Sequence, residues 1–328
     1  MRRLVRPHVS LPTLVQVRRD FPVTTWGSPG AEEAKWNNPD VRGAIYAMHG
    51  RVCAYCQRVA SDSRGDVEHF RPKSIYPWLM YEFLNYLLGC RVCNSTRKSN
   101  RFPLARRARA VTFRPRMDND AEYLRRVLSR ERRLLLDPVE DPVEEWMDID
   151  FDNPLCPIRF SGSGTADRLA QPRVLETVNF FGLNVIPELI EDRFTHVNAV
   201  LDTLEAWRDG DTARADELRA LANRYKPHGW TVRHVITRLA PTLDLPSGEE
   251  DLNWLIEQTL DRLDRDDLVL AGNIQPKDRE MVRQRREEAR WTLAVLWKDP
   301  PFGSPADVEY RMNARGRREE IAPYFAQL

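Results

Sequence analysis

The sequence predicts an α+β protein that is mostly helical, and three observations carry that prediction. The second half is a succession of amphipathic segments at helical spacing. Two Cys-x-x-Cys pairs lie close together nearer the N-terminus, where a metal can replace a core. Around those pairs the chain is broken by turn signals and short apolar runs that are too brief for long helices. With 328 residues, 42% of them apolar and 30% charged, the chain has the balance of an ordinary globular protein and room for two domains. The change of character near residue 166 suggests a division into 1–165 and 166–328.

Taken in order, residues 1–38 are punctuated by Pro, Gly and Ser and show no clear period. Asp40 to His49 reads as a short helix with Val41, Ala44, Ile45 and Met48 on one face, ended by Gly50. Turn signals follow at Ser63-Arg64-Gly65 and Arg71-Pro72. Leu84 to Cys90 is apolar enough for a strand or a buried turn, and Asn94 opens a short helix. Six amphipathic segments come later: Arg173–Gly182, Pro187–Trp207, Thr212–Tyr225, Val232–Leu239, Glu249–Leu263 and Lys277–Lys298. Ser247-Gly248-Glu249-Glu250 fits a capping box, and Gly182 stands where a helix-terminating glycine belongs.

No stretch approaches the apolar length of a membrane span. Arg6, His8 and Arg18-Arg19 interrupt any signal-like apolar run at the N-terminus, so a cytoplasmic location is expected. In such a reducing compartment the five cysteines are thiols or metal ligands, not disulfides. Cys53-x-x-Cys56 and Cys90-x-x-Cys93 supply four soft ligands, a full tetrahedral sphere with no open position, which implies a structural zinc. Reduced core cysteines or a thioredoxin-like motif are the alternatives, but two such pairs within 41 residues argue against coincidence. Cys156 has no partner in spacing and reads as a buried small hydrophobe.

The net charge of +1 averages over segregated blocks. Nine Lys or Arg and no acid lie between Arg91 and Arg116. Within that run Arg97, Lys98, Arg101, Arg106, Arg107 and Arg109 are candidate nucleic-acid contacts, with Phe102 and Phe113 able to stack on bases. Lys98, one turn after Asn94, is the best single candidate for a phosphate; a solvated mobile loop is the bland alternative. Eight Asp or Glu and no base lie between Leu134 and Ile158 and could mask the basic run, bind a basic partner, or be a solvated loop. The alternating charges from Lys277 to Arg290 read as a salt-bridged helix face, and Trp291 to Trp297 as core or interface.

Between the cysteine pairs stands Asp66-Val67-Glu68-His69-Phe70-Arg71-Pro72-Lys73, and around the second pair Asn85 and Asn94. An acidic residue followed by His and x-x-Pro, then an Asn, then a His or Asn nine residues on, resembles the HNH or ββα-metal nuclease motif. More narrowly, the string resembles the HNH effectors of bacterial phage-defence systems of the Septu and retron types. Leu134-Leu135-Leu136-Asp137-Pro138 and Gly182-Leu183-Asn184 share that likeness. The motif covers about residues 40 to 105, and the weaker likeness runs to about 195. It implies a zinc-stapled ββα unit embedded in a helical protein, with Asn85 bracing the His loop.

The chemistry agrees with the resemblance. Phosphodiester hydrolysis needs a base for water and a cation for the phosphate. His69 titrates near neutrality and can take the proton. Glu68 and Asn94 offer oxygen ligands, which favour Mg²⁺ or Mn²⁺. DNA or RNA would be the substrate, and the resemblance alone implies a phage-defence role with an ATPase or other defence subunit as partner through the helical region. The competing reading is a non-catalytic, zinc-dependent nucleic-acid-binding or adaptor subunit.

Overall fold

The structure is a computed structural model that describes residues 1–20, 34–60, 65–112, 121–151, 158–166 and 168–328. Cys156, Phe113, Arg114, Arg116 and most of the Ser63-Arg64-Gly65 turn lie outside the described residues. The α+β prediction holds, and helix dominates. The N-terminal half carries α1 (Pro12–Asp20), α2 (Pro39–His49), β1 (Asp66–His69), β2 (Tyr86–Gly89), α3 (Ala121–Ser129), α4 (Val143–Trp146), β3 (Met147–Asp150) and β4 (Arg159–Gly162). The remainder is helical: α5 (Ala170–Phe181), α6 (Pro187–Arg208), α7 (Arg214–Leu221), α8 (Gly229–Leu239), α9 (Gly248–Ala271), α10 (Pro276–Lys298), α11 (Pro305–Ala314) and α12 (Arg318–Phe325).

The punctuation read from the sequence governs several ends. Gly50 and Gly182 terminate α2 and α5 in the left-handed region at φ of 58° and 66°, where a side chain is strained. Ser247 and Glu250 form the capping box of α9. The chain departs from expectation at both extremities, where α1, α11 and α12 form without having been anticipated. The amphipathic reading of α2 also proves too modest. Every residue from Asp40 to His49 is buried, because α10 packs along it and α1 closes another side. Gly43 permits the close approach: a Cβ there would lie 2.4 Å from the Cβ of Trp291. Arg42 and Glu288 form an ion pair across that contact, both buried.

The charged face of α10 is salt-bridged, but mainly to other helices and not along itself. Arg285 bonds Asp266 of α9, and Arg286 reaches both Asp267 and Glu320. The apolar end is core: Trp291, Leu293, Val295 and Leu296 are buried. The acidic stretch is likewise structural. Asp137 and Asp141 are buried, Asp141 pairs with Arg133 and Arg173, and Asp148 accepts from His234 of α8. Met147 and Ile149 point into the core from β3, which holds the intervening Asp148 in a fixed position.

β1 and β2 form an antiparallel hairpin in which Asp66 faces Gly89 and His69 faces Tyr86. The outer edge of β2 is occupied too. Leu88 accepts from the Ala54 N–H at 2.9 Å and donates its own N–H to His49 Nε2 at 3.2 Å. His49 is fully buried, with Nδ1 facing the Val52 carbonyl. Burial holds its pKa well below the ordinary value, and Arg2 and Arg6 add to the depression. The unfolded chain therefore binds a proton near pH 6.5 that the folded chain refuses. Stability from this group is present above about pH 6.5 and is lost as pH falls below it. Urea melts at pH 7.5, 6.5 and 5.5 are expected to show a falling midpoint, and His49→Gln should flatten the fall.

Candidate functional site

The hairpin and the turn after it bring Glu68, Asn94 and Lys98 together, and His69 follows Glu68 at the end of β1. After β2 the chain passes Cys90 and winds through Val92–Lys98 as a seven-residue π-helix, a form often found at functional sites. This turn lies over the hairpin, so Asn94 and Lys98 reach the face of β1 that carries Glu68. Glu68 is buried at 1% exposure. Its Oε1 accepts from Lys98 Nζ at 2.8 Å and from the Tyr55 hydroxyl at 3.2 Å. Burial pushes its pKa up, against the opposing pull of Lys98 and Tyr55. Oε2 has no protein partner among the described residues.

Asn94 approaches from the other side of Gly89. A Cβ on Gly89 would lie 3.1 Å from the Cβ of Asn94 and 3.3 Å from that of Glu68, so a side chain there would crowd the gap between them. The Asn94 amide donates to Asp66 Oδ2 at 3.3 Å, and its Oδ1 has no partner among the described residues. Asp66 and Gly89 are the site residues that sequence reasoning missed. Two-residue periodicity along β1 was the available signal, since it puts Asp66 on the same face as Glu68.

His69 sits at the end of β1 between two aromatic rings. Trp36 and Tyr86 approach it edge-on, with centroids 4.9 and 5.1 Å away. Its Nε2 lies 3.0 Å from the Met80 carbonyl, which also accepts from the Tyr86 hydroxyl. Burial pulls its pKa down to about 4, only partly offset by the Met80 carbonyl. The ring is thus neutral at pH 7, with Nε2–H directed at Met80 and the Nδ1 lone pair remaining. Asn85 is fully buried beneath the following loop. Its Oδ1 accepts from the Arg71 N–H at 2.8 Å, and its Nδ2 donates to the Arg71 carbonyl at 2.9 Å.

Cys53, Cys56, Cys90 and Cys93 are all buried, with their sulfurs within 4.8 Å of one another. The Cys56 and Cys90 sulfurs are 3.7 Å apart, close to the ~3.8 Å edge of a tetrahedron with Zn–S of about 2.3 Å. Hydrogen bonds from the other three thiols draw Cys90 down, whereas Cys56 and Cys93 are driven up by their sulfur neighbours and by burial. The four thiols could hold a zinc ion.

The six basic candidates divide. Lys98 differs from the outward phosphate contact that its spacing suggested. It is 1% exposed, and its ammonium also donates to the His69 carbonyl at 2.8 Å. Arg97 bonds the Asn179 and Phe180 carbonyls at the end of α5, and Arg101 lies over the Phe180 ring at 4.9 Å. Arg106, Arg107 and Arg109 are exposed and have no acidic partner among the described residues.

No protein-family model matches the chain, and no solved structure matches it. Two relatives do. Over 130 residues it is 28% identical to Septu protein PtuB of Bacillus mycoides (strain KBAB4), covering 34% of this chain and 39% of the relative. Over 61 residues it is 38% identical to Septu protein PtuB of Bacillus thuringiensis, covering 18% of this chain and 24% of the relative. The homology is therefore partial, and the chain spans well under half the length of either relative. No described helix is long and apolar enough to cross a membrane.

Proposed function

We propose that this chain is the HNH nuclease component of a bacterial phage-defence system and hydrolyses phosphodiester bonds in DNA or RNA. One observation supports the reading: Glu68 and Asn94 meet across Gly89, His69 follows Glu68 on the same strand, and Asn85 binds the backbone of the loop behind His69. The partial homology to Septu PtuB supports the defence role, and a defence-system subunit such as an ATPase is the partner we propose for residues 166–328. The hairpin, the π-turn and the four thiols together make up the ββα-metal unit of residues 1–165.

Glu68 Oε2 and Asn94 Oδ1 are hard oxygen donors without partners among the described residues, a set that fits Mg²⁺ or Mn²⁺, and Asp66 stands beside them. When bound, that cation neutralises charge on the scissile phosphate and on the leaving oxygen. His69 Nδ1 takes the proton from the attacking water, its ring held by Met80 and flanked by Trp36 and Tyr86. Asn85 holds the Arg71 backbone and so keeps the His69 loop in register. Incubating the purified chain with Mg²⁺ or Mn²⁺ and plasmid, single-stranded DNA or tRNA tests the activity directly; no cleavage of any of them overturns it.

One observation favours a second reading, a non-catalytic zinc-dependent nucleic-acid-binding or adaptor subunit. Lys98 already compensates the Glu68 charge, which lowers what a second cation gains there. Chelator-insensitive nucleic-acid binding without cleavage would mark that case. On either reading Arg106, Arg107 and Arg109 are the proposed backbone contacts. Changing all three to Glu should weaken binding at least about tenfold at low salt and flatten its salt dependence. Equal affinity across a salt series would remove them from the interface.

A further inference from the structure

A second group of metal-binding side chains lies away from the hairpin, on the helical region. Asp192 and His196 stand one turn apart on α6 and share a face. His228 meets them from the start of α8, in a left-handed conformation at φ 53°. Its own N–H bonds the Gln57 carbonyl at 2.9 Å and its carbonyl accepts from Val232, so the position is fixed from both sides. One ring nitrogen of each histidine and a carboxylate oxygen of Asp192 lie within 4.8 Å of one another.

We propose that Asp192, His196 and His228 bind one transition-metal ion of the zinc class, leaving an open coordination position. Two imidazoles and a carboxylate are a donor set such ions favour. Small rotations bring these atoms to the ~3.4 Å separation of ligands held about 2.1 Å from one ion. His196 Nδ1 lies 2.8 Å from the Asp192 carbonyl of its own helix, which fixes the tautomer and leaves Nε2 as the donor. Metal-binding histidines are commonly oriented by such a carbonyl. His228 Nε2 contacts Asp192 Oδ2 at 2.7 Å, and the two histidine rings lie 4.9 Å apart. His228 Nδ1 is buried and has no partner among the described residues, so the polar contact of the ring found there lies in this cluster.

Arg58 competes with the metal. Its Nε lies 3.3 Å from Asp192 Oδ2, and its side chain is 36% exposed, free to swing into water as a cation enters. Asp192 is itself 30% exposed, which gives access from solvent. The ion would tie α6 and α8 to the segment that follows the first cysteine pair, where Gln57 already bonds the His228 N–H and the Thr231 hydroxyl.

Zinc content of the full chain, equilibrated with micromolar zinc and dialysed, tests the site. His196→Ala and Asp192→Asn should each bind one equivalent fewer than the parent, while a His69→Ala control binds the same amount. Cobalt separates this site from the four thiols: only the thiol site gives intense sulfur-to-metal absorption, and that band should persist in both variants. Arg58→Ala should tighten the lost equivalent by up to about fivefold, the worth of one half-exposed ion pair. If the folded His196→Ala and Asp192→Asn proteins keep the parent's zinc content, the site does not exist.

Discussion

Replacing Cys90 by Ser is expected to cost the protein its fold. Structural zinc contributes about 10–16 kcal/mol in small zinc modules, against a net stability of roughly 5–15 kcal/mol for a whole domain. Losing even a third of that contribution, about 3–5 kcal/mol, consumes most of the margin at the lower end of that range. Soluble yield should drop sharply, zinc content should fall by one equivalent, and the melting temperature of what remains should fall by about 10 °C or more. The sulfur cluster sits under the hairpin, since Ala54 bonds Leu88 and Asn94 begins one residue after Cys93. Any loss should therefore reach the candidate cleft. A Cys90→Ser protein with parental zinc content and melting temperature would show that the four thiols are only a reduced core.

His69→Ala is expected to separate chemistry from folding. Among the described residues the ring touches no thiol and its one polar contact is with the Met80 carbonyl, which Tyr86 also satisfies. The variant should keep its zinc, melt within a few degrees of the parent and bind nucleic acid equally well. Its cleavage rate should fall about 10²–10⁴-fold, the usual worth of a positioned general base. Glu68→Ala and Asn94→Ala should also lose activity, with part restored by higher Mn²⁺ because their defect is in metal affinity. Glu68→Ala additionally strands the Lys98 ammonium, a buried charge without its partner, and should lose several kcal/mol of stability. Asn85→Ala should lose activity and stability together. Parental cleavage by a pure His69→Ala protein would end the HNH reading.

How much of this was legible in the sequence depends on whether the deciding interaction is local. Gly50, Gly182 and the Ser247–Glu250 box act within one turn, so the ends of α2, α5 and the start of α9 could be read directly. The cysteine pairs declare themselves because ligand spacing is itself local geometry. The start of α11 carries the same kind of signal, a Ser304–Asp307 capping box with Pro305 at the first position, and reading it would have extended the helical region. Lys98 departs from its expected outward position for a different reason. Helical spacing puts it on the face of Asn94, but spacing cannot say whether that face looks at water or at Glu68. The acidic stretch was opaque for the same cause, since Arg173 and His234 reach Asp141 and Asp148 from helices far along the chain.

The packing of α10 on α2 sets an order of events during synthesis. Thr292 donates to the Gly43 carbonyl across 249 positions, and the Arg42–Glu288 pair closes over a similar span. The ribosome thus delivers α2, the hairpin and the thiols long before the helix that packs on α2. Until α10 emerges, the apolar surface of α2 lies open and closing so long a loop has yet to be accomplished. The hairpin rests on α2 through His49 and Leu88, so the cleft at Glu68 acquires its rigid backing only late. A ribosome stalled before residue 276 would display the chemical groups without the scaffold that aligns them, and chaperone capture of such nascent chains should cease once α10 has cleared the exit tunnel.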